Sequence, residues 1–362
     1  MARQPGVAAC AAALLVCLAA VAAVAAKSRV QNTPTNALAA QVLNSLIATP
    51  LGRTLPALPW DFYLIDDYEI SASSDGAGRI FVSTGMAAWY LGQSRGIWAA
   101  VLGHEIGHAL LHHPASWPAF QSELAALAPR APGDRAARPL LGHSGAARFN
   151  VRSAQQREYA ADYIALMLMA EAGYHPDYAL RLDRWMVGSQ GDTAPLVGFL
   201  AAHPPWHDRE EQAQKSKDMA LAIFNSRWPH AAQSPGGLAP PDGKLGSITV
   251  GESVDQRELT IHVPVTVRKA TGVDLRVAVA FLAGRTRVPS KLPEFRAPDG
   301  SLALNFSFDG QASREMAREV TFSLPLAALA TTERKLRMVV FFVAGDIVLD
   351  VAYVPVAIKF PE

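Results

Sequence analysis

The sequence has 362 residues, of which half are hydrophobic and 18% are charged, and its formal net charge is +1. A chain of this length and composition buries a large core and is expected to form two globular domains. The near-neutral charge gives no electrostatic basis for a nucleic-acid partner, so we expect none.

The first 26 residues have the features of a targeting segment. Arg3 supplies a positive start, and residues 7–26 form an uncharged, apolar stretch that ends in small residues. A signal peptide has this order of features, although the stretch is also long enough to be an uncleaved membrane anchor. Both cysteines, Cys10 and Cys17, lie inside it. We expect an exported protein of the periplasm or cell envelope, soluble or anchored, without disulfides in the mature chain.

Helix and strand patterns alternate in the residues that follow. Residues 35–48 have the spacing of an amphipathic helix, and Trp60 to Ile65 and Arg79 to Ser83 have the composition of short strands. Turn-forming residues separate the two strands. A helical pattern from Met86 to Leu91 leads into the next helix.

Residues 104–108 form an H-E-x-x-H motif in a segment that is apolar on most sides. Ser94 is the expected N-cap of this helix and Pro114 its stop. His104 and His108 lie one turn apart on one face and can bind one metal ion. Glu105 is offset on the same turn, where its carboxylate can accept a proton from an attacking water. Because a buried His/Glu/His cluster needs partners or a metal, we interpret the motif as the zinc site of a hydrolase rather than a surface helix.

The segment after the motif is a long connection followed by further helices. Residues 114–150 are rich in Pro, Ala, Gly and Arg. We expect either a partly helical lid or insertion, or a poorly ordered excursion. Helical patterns follow at Arg152 to Ala172, Asp177 to Met186 and Asp208 to Phe224, and Gly173 ends the first of them.

A zinc peptidase needs a third protein ligand, and the helix from Arg152 offers one. Glu158 and Asp162 lie one turn apart on one face of a strongly apolar helix. Two carboxylates there are either a solvent-facing edge or part of the site. Glu158 as ligand completes a two-His, one-Glu site, and Asp162 can then orient a ligand histidine.

With these motifs the chain resembles the gluzincin zinc metallopeptidases that include HtpX, Oma and BepA and are related to the CAAX prenyl proteases. Four elements occur in the family's order: an Asp-rich turn and strand leading to Thr84-Gly85, H-E-x-x-H, E-x-x-x-D at Glu158, and H-P-x-x-x-x-R at residues 203–209. The resemblance covers residues 35–225. One departure is Ser71 to Gly76, where the family has an Asn-Ala pair and a Pro-Gly turn.

The resemblance implies a role for each matching residue. His104, His108 and Glu158 are expected to hold one zinc ion per chain. Glu105 is expected to act as general base toward water and then as proton donor to the leaving amine. His203 is expected near the zinc, where it either stabilises the oxyanion or caps the metal.

Supporting roles follow in the same way. Asp162 is expected to orient a ligand histidine, and Arg209 to brace the His203 loop. An extended substrate is expected to pair with an edge strand made of Arg79, Ile80, Phe81 and Val82. Five further histidines are expected to be non-ligands: His112, His113, His143, His175 and His207.

The C-terminal part has a different periodicity. Residues 228–246 are rich in Pro, Gly and Ser and predict a linker. After it, about seven period-two segments between Leu259 and Ile358, separated by turn signals, predict a β-sandwich.

We therefore expect an α+β protein: a mostly helical zincin-type metallopeptidase domain with a small sheet (27–227), followed by an all-β sandwich (247–362). The expected function is zinc-dependent cleavage of unfolded or misfolded polypeptides in envelope quality control. An exported binding or assembly protein with a capped or vestigial zinc site is the alternative, with a protein partner on the sandwich. A metal-dependent amidase is a third candidate.

Overall fold

The computed structural model describes residues 29–358, except segments 31–33, 68–69, 89–93, 128–153, 189–207, 231–233, 235–238, 254–256, 298–299 and 311–314 and positions 271, 285 and 346. The expected targeting segment (1–26) and His203 lie outside the described residues. None of the described helices is long and apolar enough to cross a membrane.

The longer helices described before residue 228 are α1 (Pro34–Ile47), α2 (Arg95–Leu111), α3 (Trp117–Leu127), α4 (Ala154–Ala172), α5 (Asp177–Gly188) and α6 (Asp208–Arg227), and a short one spans Thr84–Met86. Their ends follow the predicted capping signals. Ser94 Oγ accepts a hydrogen bond from the Ile97 N–H at the start of α2, at 3.4 Å. Helix α4 ends before Gly173, whose φ of +85° is the left-handed conformation that glycine adopts without strain.

Helices α2 and α4 approach each other closely because two glycines of α2 face α4. A Cβ atom on Gly107 would lie 2.7 Å from Ala161 Cα, and one on Gly103 would lie 3.1 Å from Ala165 Cα. At Gly107 a side chain would force the two backbones apart, and at Gly103 it would be tight. The contact places the H-E-x-x-H helix directly against the helix that carries Glu158.

A small sheet lies beside these helices. Its strands are β1 (Arg29–Val30), β2 (Asp61–Ile65), β3 (Ala72–Ser74) and β4 (Arg79–Ser83), in the order β1-β2-β4-β3. Strand β4 pairs in parallel with β2 and antiparallel with β3.

This order corrects the predicted substrate edge. The strand made of Arg79, Ile80, Phe81 and Val82 has a neighbour on each side, so it is not an edge. Its residues from Ile80 onward are buried, as is typical of a central strand. Among the described strands, β3 is the one at this end of the sheet.

The segment predicted as a lid or insertion begins as packed structure. Residues 114–127 form a short 3₁₀ turn followed by α3. Trp117, Phe120 and Leu124 of α3 are buried in the same core as α2. This start of the segment is helical and packed, and residues 128–150 lie outside the described residues, so the lid or insertion stays a prediction.

The C-terminal strands are β5 (Asp242–Leu245), β6 (Thr249–Ser253), β7 (Glu258–Arg268), β8 (Asp274–Ala283), β9 (Thr286–Arg287), β10 (Ala303–Asp309), β11 (Met316–Pro325), β12 (Lys335–Ala344) and β13 (Ile347–Ala357). One sheet has the order β10-β8-β12-β13, with β9 on β8, and the other has β11-β7-β5, with β6 on β7. Alternate residues of β7 and β8, such as Ile261 and Val277, meet in one core. The fold is thus a mixed α+β one.

The described strands begin earlier than predicted. Residues 242–245 of the predicted linker form β5, which pairs with β7. The Leu245 N–H of this strand donates to the Asp350 carboxylate at 2.8 Å. Partners 20 or more residues away along the chain make this segment a strand, and its local composition does not reveal them.

The sheet that contains β12 also packs against the helices. Leu282 of β8 and Val339 of β12 belong to the same buried cluster as the helical core. Arg181 of α5 donates hydrogen bonds to the carbonyls of Val348 and Pro241. The C-terminal strands are therefore in contact with the helix α5, which itself lies against α2.

Candidate metal centre

Three predicted ligands converge between α2 and α4. His104 Nε2 lies 3.0 Å from His108 Nε2 and 3.3 Å from Glu158 Oε2. His108 Nε2 lies 3.3 Å from Glu158 Oε1. His104 and Glu158 are buried and His108 is partly exposed, so the cluster has one accessible side.

These distances fit a zinc ion. Tetrahedral zinc with bonds of about 2.0–2.1 Å separates its ligand atoms by about 3.3 Å. The three edges of the cluster have nearly this length, and two imidazoles with one carboxylate are a donor set of catalytic zinc sites, which keep a fourth position open. The residues present therefore fit the ion.

Asp162 fixes the orientation of the first ligand. His104 Nδ1 donates a hydrogen bond to Asp162 Oδ1 at 2.8 Å, which leaves Nε2 facing the other two ligands. Burial lowers the pKa of His104, but hydrogen bonds and charge from Asp162 and Glu158 outweigh it and raise the pKa to about 10. A pKa of about 10 keeps a second proton on Nε2 at neutral pH when no metal is bound. A metal that binds through Nε2 must displace this proton.

Helix α5 packs beside this hydrogen-bonded pair. Ala179 and Leu182 of α5 line a void of about 10 Å³ beside His104 and Asp162. A void of this size is at or below what one water molecule needs. The hydrogen bond between Asp162 and His104 is thereby shielded from solvent, which strengthens it.

Glu105 is the next residue of α2 after the first ligand, and its side chain is 1% exposed. It lies about 100° around the helix from His104, so it is beside the ligands rather than among them. A carboxylate in this position can take a proton from a water at the open coordination position.

The remaining predicted residues fall into two groups. His112, His113 and His175 are not part of the cluster formed by His104, His108 and Glu158; His143 and His207 lie outside the described residues. Arg209 is in the first turn of α6, and its side chain lies outside the described part of the chain.

One contact beside the site is absent from the sequence predictions. The His113 ring, immediately after α2, donates from Nε2 to the Gly76 carbonyl at 2.7 Å. This carbonyl belongs to the turn between β3 and β4. The position of His113 five residues after His108 was visible in the sequence, but the carbonyl that it contacts was not.

Two close-packed helices that present two histidines and a glutamate to one point, with a glutamate next to the first ligand, define a metallopeptidase of the H-E-x-x-H class. The chain belongs to Peptidase family M48, whose sequence profile matches residues 34–217. The resemblance drawn from the motifs is therefore confirmed. Peptidases of this family use zinc, in agreement with the donor set.

Two curated relatives carry the same name, mitochondrial metalloendopeptidase OMA1. The one from Schizosaccharomyces pombe is 29% identical over 207 residues, which are 54% of this chain and 59% of the relative. The one from Arabidopsis thaliana is 28% identical over 181 residues, 50% of this chain and 36% of the relative. The match thus spans less than two thirds of each relative's length. A Bifidobacterium adolescentis β-glucosidase structure aligns with 35% of this chain and 19% of its own at 16% identity and a TM-score of 0.22, too low to bear on the fold.

Proposed function

We propose that this protein is a zinc-dependent endopeptidase that hydrolyses peptide bonds. The observation that carries the proposal is the buried Glu105 beside a complete ligand set of His104, His108 and Glu158. A site that binds zinc only for stability has no use for a base next to it. Zinc held there supplies a Lewis acid that polarises the substrate carbonyl and acidifies water.

The protein's own residues then move the proton and hold the geometry. Glu105 accepts a proton from the water whose oxygen attacks the carbonyl carbon, and it delivers that proton to the amine nitrogen as the C–N bond breaks. Asp162 keeps His104 in the tautomer that faces the metal position. His203 is the candidate for stabilising the oxyanion, and Arg209 for bracing its loop, on the family motif alone.

We assign substrate pairing to β3 instead of β4. A polypeptide in extended conformation can add to the outer side of Ala72 to Ser74 through backbone hydrogen bonds. Such pairing tolerates many side chains but requires an unfolded segment. This supports unfolded or misfolded polypeptides as the substrate class.

The setting of this activity is part of the proposal. The apolar N-terminal stretch supports export to the periplasm or cell envelope, and with it a quality-control role. The two antiparallel sheets that share one core support a β-sandwich for residues 247–362, after a mostly helical peptidase domain. The proposal includes membrane association through the N-terminal stretch and a protein partner on the sandwich.

Glu105→Gln is the test. In the purified protein with one zinc per chain, we expect the variant to keep its zinc and to cleave a reduced, carboxymethylated test protein about 10²–10⁴-fold more slowly, because the proton acceptor is lost. Glu211→Gln, the same change at an exposed site on α6, should cleave at the wild-type rate. Equal rates for wild type and Glu105→Gln would contradict the mechanism. A zinc-loaded wild type that cleaves nothing would favour the binding-protein alternative.

A further inference from the structure

A hydrogen bond joins the segment just after α2 to the turn between β3 and β4. His112 and His113 follow directly on α2, and the His113 N–H bonds back to Leu110 O at 2.9 Å. This places the His113 ring one turn beyond the ligand His108. Its Nε2 contacts the Gly76 carbonyl at 2.7 Å. Because a carbonyl only accepts, the ring nitrogen is the donor.

The turn that receives this bond has a defined conformation. Gly76 has a φ of +71°, in the left-handed region. The Asp75 carboxylate accepts from the backbone N–H groups of Ala77 and Arg79, at 2.8 and 3.1 Å. The Gly76 carbonyl is therefore held at a fixed place by its own turn, and its bond to His113 joins two ordered elements.

Strand β3 spans the distance between this turn and the core. Its N-terminal end is anchored by Ile70 and Ala72, which are both buried. Its other end continues into Asp75 and Gly76. Strand β3 also packs beside α2. The His113 bond is thus a polar tie between the far end of β3 and the helix that carries His104 and His108.

We propose that His113 is a positioning residue for substrate, one that holds β3 at the distance from His104 and His108 at which a paired polypeptide is cleaved. This rests on the proposed peptidase function and on substrate pairing at β3. A displacement of about 1 Å between a bound chain and the reacting group costs on the order of 10²-fold in rate. A substrate too short to pair with β3 does not depend on this tie.

Two polar substitutions of His113 distinguish the effect of losing its hydrogen bond to Gly76 from the effect of losing its packing. Gln places its amide nitrogen near the position of imidazole Nε2, and Asn places it near Nδ1. His113→Gln can therefore still donate to Gly76, and His113→Asn cannot reach it. His112→Gln is the control, because it makes the same change at the exposed neighbouring residue.

The experiment measures kcat and KM on a ten-residue peptide and on a blocked tripeptide, with zinc content determined for every variant. We expect His113→Asn to keep one zinc and to lose about 10- to 100-fold in kcat/KM on the long peptide. On the tripeptide we expect wild-type values. The kcat/KM of His113→Gln on the long peptide should lie within about threefold of the wild-type value. That of His112→Gln should equal the wild-type value. Hydrogen exchange of residues 70–83 should be faster in His113→Asn alone.

Any other result overturns the positioning role of His113. Equal losses on both peptides, no recovery with Gln, or no loss at all overturn the positioning role and leave the peptidase function intact. Unchanged exchange in residues 70–83 overturns the role as well. A zinc-loaded wild type that cleaves neither peptide overturns the proposed function and the role with it.

Discussion

The two nitrogens of His104 have separate tasks. Nε2 faces the metal position, and Nδ1 is bonded to the buried Asp162 at 2.8 Å. A carboxylate in this place orients the ring and makes it a stronger ligand. We therefore expect Asp162 to raise metal affinity without touching the metal.

Asp162→Asn tests this role. The amide keeps the size of the side chain but lacks the charge, so we expect zinc affinity to fall about 10- to 100-fold. Competition with a chelating dye measures the dissociation constant. Asp218→Asn, the same change at an exposed site on α6, should leave it unaltered. Indistinguishable constants for the two variants would mean that Asp162 does not tune the ligand.

At the residue scale, the spacing of residues in the sequence was sufficient to predict most of the site. The separation of four residues between His104 and His108, and again between Glu158 and Asp162, places each pair on one helical face whatever the rest of the fold does. The bond from His113 to Gly76 joins groups 37 residues apart. No local spacing encodes such a contact. The sequence therefore drew attention to His113 but gave no sign that it bonds to Gly76.

Glycine sets the distance between the two ligand helices. Gly103 and Gly107 each cost about 1 kcal/mol of helix propensity relative to alanine, so a packing reason is needed for them. The reason is the backbone of α4, which fills the space where a side chain would project.

Gly107→Ala should therefore destabilise the protein although alanine favours helix. Its Cβ would meet the Ala161 Cα and carbonyl oxygen at 2.7 and 2.9 Å, and backbone atoms cannot rotate away. We expect overpacking of about 1–3 kcal/mol to offset the propensity gain and the separated helices to bind zinc more weakly. Urea denaturation and zinc titration measure the two effects. Gly103→Ala, with contacts of 3.1–3.2 Å, should show a smaller loss. Wild-type zinc affinity in Gly107→Ala would refute this account.

Element type was predictable at this scale, but pairing order was not. The apolar pattern of Arg79 to Ser83 is typical of a strand, and the structure confirms one. Whether that strand is central or at an edge depends on Ala72 to Ser74, three small residues with weak strand propensity. The Pro-rich start of residues 114–127 likewise concealed the buried face of α3.

At the scale of the whole molecule, α5 is the element shared by the two halves. One side of it packs on α2, where a Cβ on Gly96 would touch the Tyr178 ring. Arg181 of the same helix donates to the carbonyl of Val348 in β13 and to that of Pro241, just before β5. Leu282 and Val339 extend the helical core into the sheet. We infer that the strands support the metal-binding half and are not an independent attachment.

Arg181→Met tests this coupling, because it keeps the apolar stem and removes the donors. Burial of the Val348 and Pro241 carbonyls without a charged partner should cost about 2–3 kcal/mol. All seven tryptophans lie between residues 60 and 228, so their fluorescence reports on the helical half alone, whereas far-UV circular dichroism reports on the whole chain.

In the wild type we expect both probes to show one urea transition, because the shared core couples the halves. In Arg181→Met the fluorescence midpoint should move to lower urea, and the two transitions should separate. Arg276→Met removes an exposed arginine from β8 of the same sheet and should leave both midpoints in place. If the fluorescence midpoint of Arg181→Met equals that of Arg276→Met, the strands do not stabilise the metal-binding half through α5.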